Sequence, residues 1–262
     1  MANLNKSLKK LALRYGYDFT FRKLPQHGLR NRKMKLPRDM EPIFSEIFAK
    51  VGDHTLTTPD CVHALYAATR HIVERDIPGD FVECGVWQGG SAMTMALTLL
   101  HLGVTDRNIY LYDTYTGMVK PEEIDVRQRD GMEQISRWEM QQRDDHNEWC
   151  YAPIDQVKAN LASTGYPEDR LIYVKGVVEE TIPDVAPDRI AMLRLDTDWY
   201  RSTHHELTHL YPRLSTGGFL IIDDYGAYAG ARQATDEYFE TEGNRPYLNR
   251  IDTAARIGVK PA

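Results

Sequence analysis

Apolar positions along the chain follow two alternating rhythms. Residues 58–77 open on the helix-start signal Thr57-Thr58-Pro59-Asp60. They then carry Val62, Leu65, Tyr66, Thr69, Ile72 and Val73 at the spacing of one buried helix face. Residues 5–15 and 41–51 show the same helical spacing, and 28–40 between them reads as a loop or arm. From residue 80 the rhythm changes. Short apolar runs at 80–84, 108–113, 170–175, 190–195 and 218–222 read as strands, and 90–103, 154–164, 201–214 and 229–241 between them read as helices. Two short strands, about 246–251 and 254–260, follow the last helix. Strands alternating with helices predict right-handed βαβ units and a buried parallel sheet with helices on both faces. Residues 114–150 interrupt this order with a long polar, Trp-containing excursion, too long for a plain connection and expected to act as a lid.

Length and composition narrow the class. The 262 residues suit one α/β domain with additions, divided here into an N-terminal arm with helices over 1–56 and a main domain over 57–262. No apolar run reaches the roughly 18–20 residues of a membrane span, and the N-terminus lacks a signal-peptide pattern. Cys61, Cys84 and Cys150 are odd in number and scattered, so neither a disulfide framework nor a zinc site is expected and a reduced, cytoplasmic protein is. Charge is uneven: residues 1–38 carry eleven Lys/Arg against Asp18 alone, a net +10, which leaves −16 for the remainder. The arm is expected to pack on the acidic body or on a second subunit in a homo-oligomer, with contact to an anionic membrane surface or glycan as the alternative. Nucleic acid is not an expected partner, because the body behind the arm is itself acidic.

In an open parallel sheet, ligands bind beyond the carboxyl ends of the strands. Glu83, Asp113, Asp196, Asp223 and Asp224 all end expected strands, so they should face one crevice, where their mutual repulsion calls for a cation or for hydrogen-bond donors. The turn from Glu83 to Ser91 spaces its glycines as E-x-G-x-x-x-G-G, which is not the dinucleotide fingerprint G-x-G-x-x-G. A nucleoside without phosphates, such as S-adenosylmethionine, needs less of that cradle, and Asp113 stands where ribose hydroxyls would be held. The bland alternative is a packing turn, with Asp113 capping the next helix. Asp196-Thr197-Asp198 and Asp223-Asp224 supply carboxylates from two neighbouring strand ends, a donor set suited to a hard cation such as Mg²⁺ or Mn²⁺. Helix capping explains one Asp at each strand end but not a pair at each. Trp87, Trp199, Tyr200, Tyr225 and Tyr228 flank these motifs, as core residues or as stacking surfaces for adenine or a sugar ring.

The segments FVECGVWQGGSAMTMA, LYDTYTGM, VKANLASTGYPEDRLIYVKGVVEETIP, LRLDTDWYRST and GGFLIIDDYGAYAGARQATDEYF closely resemble the macrocin O-methyltransferase (TylF) family over roughly residues 57–260. The resemblance implies a class I methyltransferase fold, Rossmann-like, with a doubly wound, mostly parallel seven-stranded sheet. It also implies S-adenosylmethionine and Mg²⁺ as cofactors and a sugar hydroxyl, in a glycoside or glycan, as acceptor. It places Glu83, Gly85, Ser91 and Asp113 at the cofactor turn and ribose, and Gly176 and Val177 near the adenine. Asp196, Asp223 and Asp224 would hold the metal and Asp198 would be the general base. A catechol-type methyltransferase, a metal-dependent hydrolase and a non-catalytic binding module are the competing classes.

Overall fold

The computed structural model describes residues 36–37 and 39–262, so the helix expected over 5–15 and most of the basic arm lie outside the described residues. Helix α1 (Pro42–Val51) buries Phe44, Ile47 and Val51, so this part of the 1–56 stretch is built into the body. Helix α2 (Pro59–Glu74) starts on Pro59 behind an N-cap, Thr58, whose hydroxyl oxygen accepts the Cys61 N–H at 3.3 Å. The same hydroxyl donates to Asp252 at 2.9 Å, tying the helix start to the C-terminal segment.

The core elements are β1 (Asp80–Cys84), α3 (Gly90–His101), β2 (Ile109–Asp113), α4 (Ile135–Gln141), α5 (Ile154–Ala162), β3 (Leu171–Lys175), α6 (Val178–Thr181), β4 (Ile190–Leu195), α7 (Tyr200–Leu210), β5 (Leu214–Ile222), α8 (Ala229–Glu242), β6 (Asn249–Arg250) and β7 (Arg256–Val259). The strands form one seven-stranded sheet in the order β3-β2-β1-β4-β5-β7-β6. Strands β1 to β5 run parallel, and β7 pairs antiparallel with β5 and with β6. Strand β5 begins four residues earlier than its apolar run implies, because a register shift against β4 lets Leu214 pair with Ile190. Chain order reverses between β1 and β4, the place where an open parallel sheet forms its binding crevice.

Period-two alternation divides the sheet between two cores. Phe81, Ile109, Leu111, Met192 and Ile221 face α1, α2, α3 and α5, while Val82, Tyr112, Leu193, Leu220 and Ile222 face α7 and α8. Continued upward, the first face carries Glu83, Asp113, Arg194, Asp196 and Asp223, so four of the five acids expected at the strand ends, all but Asp224, share one side of the sheet. Gly85 makes this crevice tight. Its φ is +84°, and a Cβ there would lie 1.9 Å from the backbone oxygen of Asp196, so only glycine lets the end of β1 meet the end of β4.

Thr58→Ala removes both hydroxyl contacts at the start of α2. Urea denaturation should show a loss of about 1–2 kcal/mol, and an unchanged midpoint would contradict the capping role.

Candidate active site

A cavity of about 320 Å³ opens above β1, β4 and β5 and is lined by Glu83, Gly85, Ser91, Asp113, Arg194, Asp196, Asp198, Asp223 and Asp224, among others. A second cavity, about 370 Å³, lies toward α6 and α7 and is lined by Gly176, Val177, Asp113 and Trp199. Both reach Gly85, Asp113 and Asp196. The residues expected around the cofactor therefore fall on two adjoining cavities. Ser91 and Glu83 are in the first, Gly176 and Val177 in the second, and Gly85 and Asp113 at the junction.

Beneath the first cavity lies a residue the motifs had not singled out. Arg194, 3% exposed, donates from Nη1 to Glu83 and to Asp196, both at 2.8 Å, and from Nη2 to Asp223 at 2.9 Å. Glu83 and Arg194 are register partners on β1 and β4, which places them side by side on one face. Burial works against the charge of Arg194, and the three carboxylates outweigh it, holding the guanidinium well above its ordinary value. Burial also raises Glu83, to about 7 despite its arginine partner, and its Oε2 remains buried without a hydrogen-bond partner. That orphaned oxygen in the cavity wall suits a cationic donor, such as the amino group of S-adenosylmethionine.

The structure sorts the five acids at the strand ends into different partnerships. One oxygen each from Asp196, Asp198 and Asp224 comes within 4.8 Å of the other two. Asp223, which the motif comparison placed with the metal ligands, stands outside that trio and faces Arg194. The backbone N–H of Asp198 donates to Asp224 at 3.1 Å, and Asp198 adopts φ +68°, a strained conformation for a non-glycine residue. The Asp198 and Asp224 carboxyls stand close enough that their charges oppose each other when both are ionised. Burial raises both, Asp198 to about 7, and the neighbouring acids add to it. An oxygen-only trio whose carboxyls are raised by burial and by one another is the donor set a hard divalent cation relieves. The Cys150 thiol in the same wall is pushed up by burial and by Asp198 and Asp196, so no soft thiolate competes.

The helix-cap alternative fails for these acids. No side chain caps α7 from its own N-cap residue, Trp199; its first N–H, from Tyr200, is taken at 2.8 Å by Asp125 of the 114–150 excursion. Gly230 leaves room for that contact, since a Cβ there would lie 1.9 Å from Asp125 Oδ1. Asp113 does not cap a following helix either. Its Oδ2 accepts the N–H groups of Val86 and Trp87 at 2.7 and 3.0 Å, and its Oδ1 that of Tyr115 at 2.7 Å. It thereby fixes the glycine turn while lining both cavities.

The macrocin-O-methyltransferase (TylF) family model matches residues 45–257, well over half of the chain. The chain belongs to that family. It is 34% identical over 199 residues to a tetracenomycin rhamnosyl 4′-O-methyltransferase of Streptomyces olivaceus, covering 76% of this chain and 72% of that one. It is 31% identical over 201 residues to mycinamicin III 3″-O-methyltransferase of Micromonospora griseorubida, covering 76% and 75%. Among solved structures it is similar to the O-methyltransferase NovP, with TM-score 0.70 and 27% identity over 80% of this chain and 83% of that one. The protein is an O-methyltransferase, and its methyl donor is S-adenosylmethionine.

In this macrocin-family enzyme the 114–150 excursion is tied down by specific bonds. Its two ends pair through Asn147 N to Thr116 O and Met118 N to Trp149 O, at 2.8 and 3.0 Å. Trp199 Nε1 donates to Val119 O at 2.9 Å, and Ala229 N donates to Val126 O at 2.9 Å. The excursion contributes Arg137, Trp149 and Cys150 to the first cavity wall. The Trp149 ring meets Trp199 edge-on at 5.6 Å, and Trp199 meets Tyr228 at 5.0 Å. A further buried acid, Glu206 of α7, accepts the Thr197 hydroxyl at 2.9 Å from beneath the Asp196–Asp198 turn.

Arg194→Met leaves three carboxylates without their counter-charge. Denaturation at pH 8 should show a loss of about 3–5 kcal/mol. Lowering the pH toward 6 should recover part of it, because Glu83 and Asp196, both raised by burial, then protonate and stop repelling. A variant as stable as the parent at pH 8 would remove Arg194 from this role.

Proposed function

We propose that the enzyme methylates a hydroxyl of a sugar moiety in a glycoside or glycan, assisted by a divalent cation, Mg²⁺ or Mn²⁺, with Asp198 as general base. The observation that carries the reading is the oxygen trio of Asp196, Asp198 and Asp224, set beside the junction of the two cavities. The sugar acceptor follows the relatives, whose names specify methylation of a rhamnosyl 4′ and a mycinamicin 3″ position. Tyr228 in the cavity wall gives an aromatic face against which a sugar ring packs.

Within the trio, Asp196 and Asp224 are the proposed cation ligands, since Mg²⁺ characteristically takes one or two carboxylates and leaves its other positions to water and substrate oxygens. Asp223 acts through Arg194, which keeps it turned from the trio. When bound, the cation supplies Lewis acidity that eases loss of the acceptor's hydroxyl proton, and S-adenosylmethionine supplies a methyl group on a sulfonium. Asp198 in its ionised form takes the hydroxyl proton. The oxygen attacks the methyl in line as the S–CH₃ bond breaks and the O–CH₃ bond forms, and neutral S-adenosylhomocysteine leaves. The close approach of Gly85 to Asp196 brings the cofactor turn and the acid trio together, and proximity of this kind supplies much of the rate.

Calorimetric Mn²⁺ titration separates the ligand roles. Asp196→Asn and Asp224→Asn should abolish binding, whereas Asp223→Asn and Asp198→Asn should retain it; loss of binding in Asp223→Asn would restore that residue to the ligand set. In the parent enzyme, Mn²⁺ affinity should increase from pH 6 to pH 8 with proton release, because the cation competes with protons for the Asp198 and Asp224 carboxyls, which burial raises. A pH-independent affinity would contradict that pair. For the reaction, S-adenosylhomocysteine release should occur with glycosides and stop in excess EDTA, while Asp198→Asn should bind metal and cofactor but turn over at least about 100-fold more slowly. Transfer to catechols in preference to glycosides would overturn the sugar acceptor.

A further inference from the structure

The 114–150 excursion holds five Lys and Arg side chains, and four of them have an acidic partner. Lys120 lies within 4.0 Å of Glu139, Arg127 and Arg129 both meet Asp130, and Arg143 meets Glu148 at 2.7 Å. Arg137 is the exception. Among the described residues it has neither an ion pair nor a side-chain hydrogen bond. Instead its guanidinium lies 3.7 Å from the centre of the Trp149 ring, in the wall of the cavity that holds the acid trio. It is half-buried.

Stacking on an indole uses the face of a guanidinium and leaves the N–H donors in its plane available. Asp198 feels the positive charge, but no carboxylate oxygen lies within 4 Å, so the protein's own acids do not satisfy those donors. A planar fork of N–H groups fixed on an aromatic wall matches the two oxygens of a carboxylate or phosphate. The position also fits the sugar chemistry, because Tyr228, the ring proposed above for the acceptor, lines the same cavity.

We propose that Arg137 anchors an acidic group, carboxylate or phosphate, carried by the acceptor close to the sugar that is methylated. The inference rests on the sugar reading. The acceptor is then an acidic glycoside, either a sugar acid or a sugar bearing phosphate at its linkage. Arg137 acts as a specificity determinant: it favours such acceptors through binding, while the hydroxyl chemistry stays with Asp198.

A charge-matched series tests this with the full chain, Mg²⁺ and S-adenosylmethionine. Methyl glucoside, methyl glucuronide and glucose 1-phosphate share the ring hydroxyls from C2 to C4 and differ in acidic group. At least one acidic member should exceed the neutral one in kcat/KM by about tenfold or more, mainly through KM. Preference for the glucuronide identifies a ring carboxylate, and preference for the phosphate identifies the linkage. In Arg137→Met the acidic-to-neutral ratio should fall toward one, and Arg137→Lys should keep part of it; a residue that merely props Trp149 would leave the ratio unchanged. Equal use of acidic and neutral members by the parent enzyme, or a ratio that survives Arg137→Met, would overturn the inference alone. No transfer to any of the three, and no saturation-transfer NMR contact with any, while S-adenosylmethionine binds, would overturn the sugar reading and this inference with it.

Discussion

One buried guanidinium organises the crevice. Arg194 gathers Glu83 from β1, its own neighbour Asp196 on β4, and Asp223 from β5. Without it, three carboxylates on adjacent strand ends would repel at short range in a poorly solvated place, and the sheet could not close around them. With it, the acids divide. Glu83 and Asp223 are turned to Arg194, and Asp196 belongs both to that ion-pair cluster and to the trio. Asp198 and Asp224 face Asp196 with carboxyls that burial and their neighbours raise. In the reading proposed above, that remainder would receive the cation, so one side chain bears on both the stability of the crevice and its chemistry.

The sheet and the location of the site were legible because they depend on short-range patterns. Apolar runs of five or six residues located β1 to β4 closely, and the acids ending them located the crevice. The partnerships among those acids were not legible, because they depend on strand register. Glu83 and Arg194 are 111 residues apart and meet only because β1 and β4 pair. The available signal was Arg194 itself, a charged residue inside the apolar run Ile190–Leu195, which requires a buried partner. The cap of α7 was hidden for the same reason, since Asp125 reaches Tyr200 from 75 residues away. Gly176 and Val177 do sit at a strand end, but on the other side of the junction, which the motif alone could not distinguish.

The excursion between β2 and α5 gives the fold its particular chemistry. The parallel sheet provides a crevice suited to a nucleoside donor, and the inserted 114–150 segment adds the aromatic wall and Arg137. It is held by backbone bonds at both ends and by Asp125 at the start of α7. The same segment that narrows the cavity thus also supports the helix following the Asp196–Asp198 turn, linking the acceptor wall mechanically to the acids. Strained backbones at Trp87, Cys150 and Asp198, all lining the first cavity, fit a site whose side-chain directions are imposed by the fold.

The central claim is that Arg194 divides the acids and so decides which of them hold the cation. Anomalous diffraction from a crystal of the protein soaked in Mn²⁺ tests it most directly. The account predicts a single strong peak coordinated by Asp196 and Asp224 with Asp198 alongside, while Asp223 remains on Arg194. A peak ligated by Asp223 with Arg194 displaced, or no peak among these residues in the presence of Mn²⁺ and S-adenosylmethionine, would contradict it.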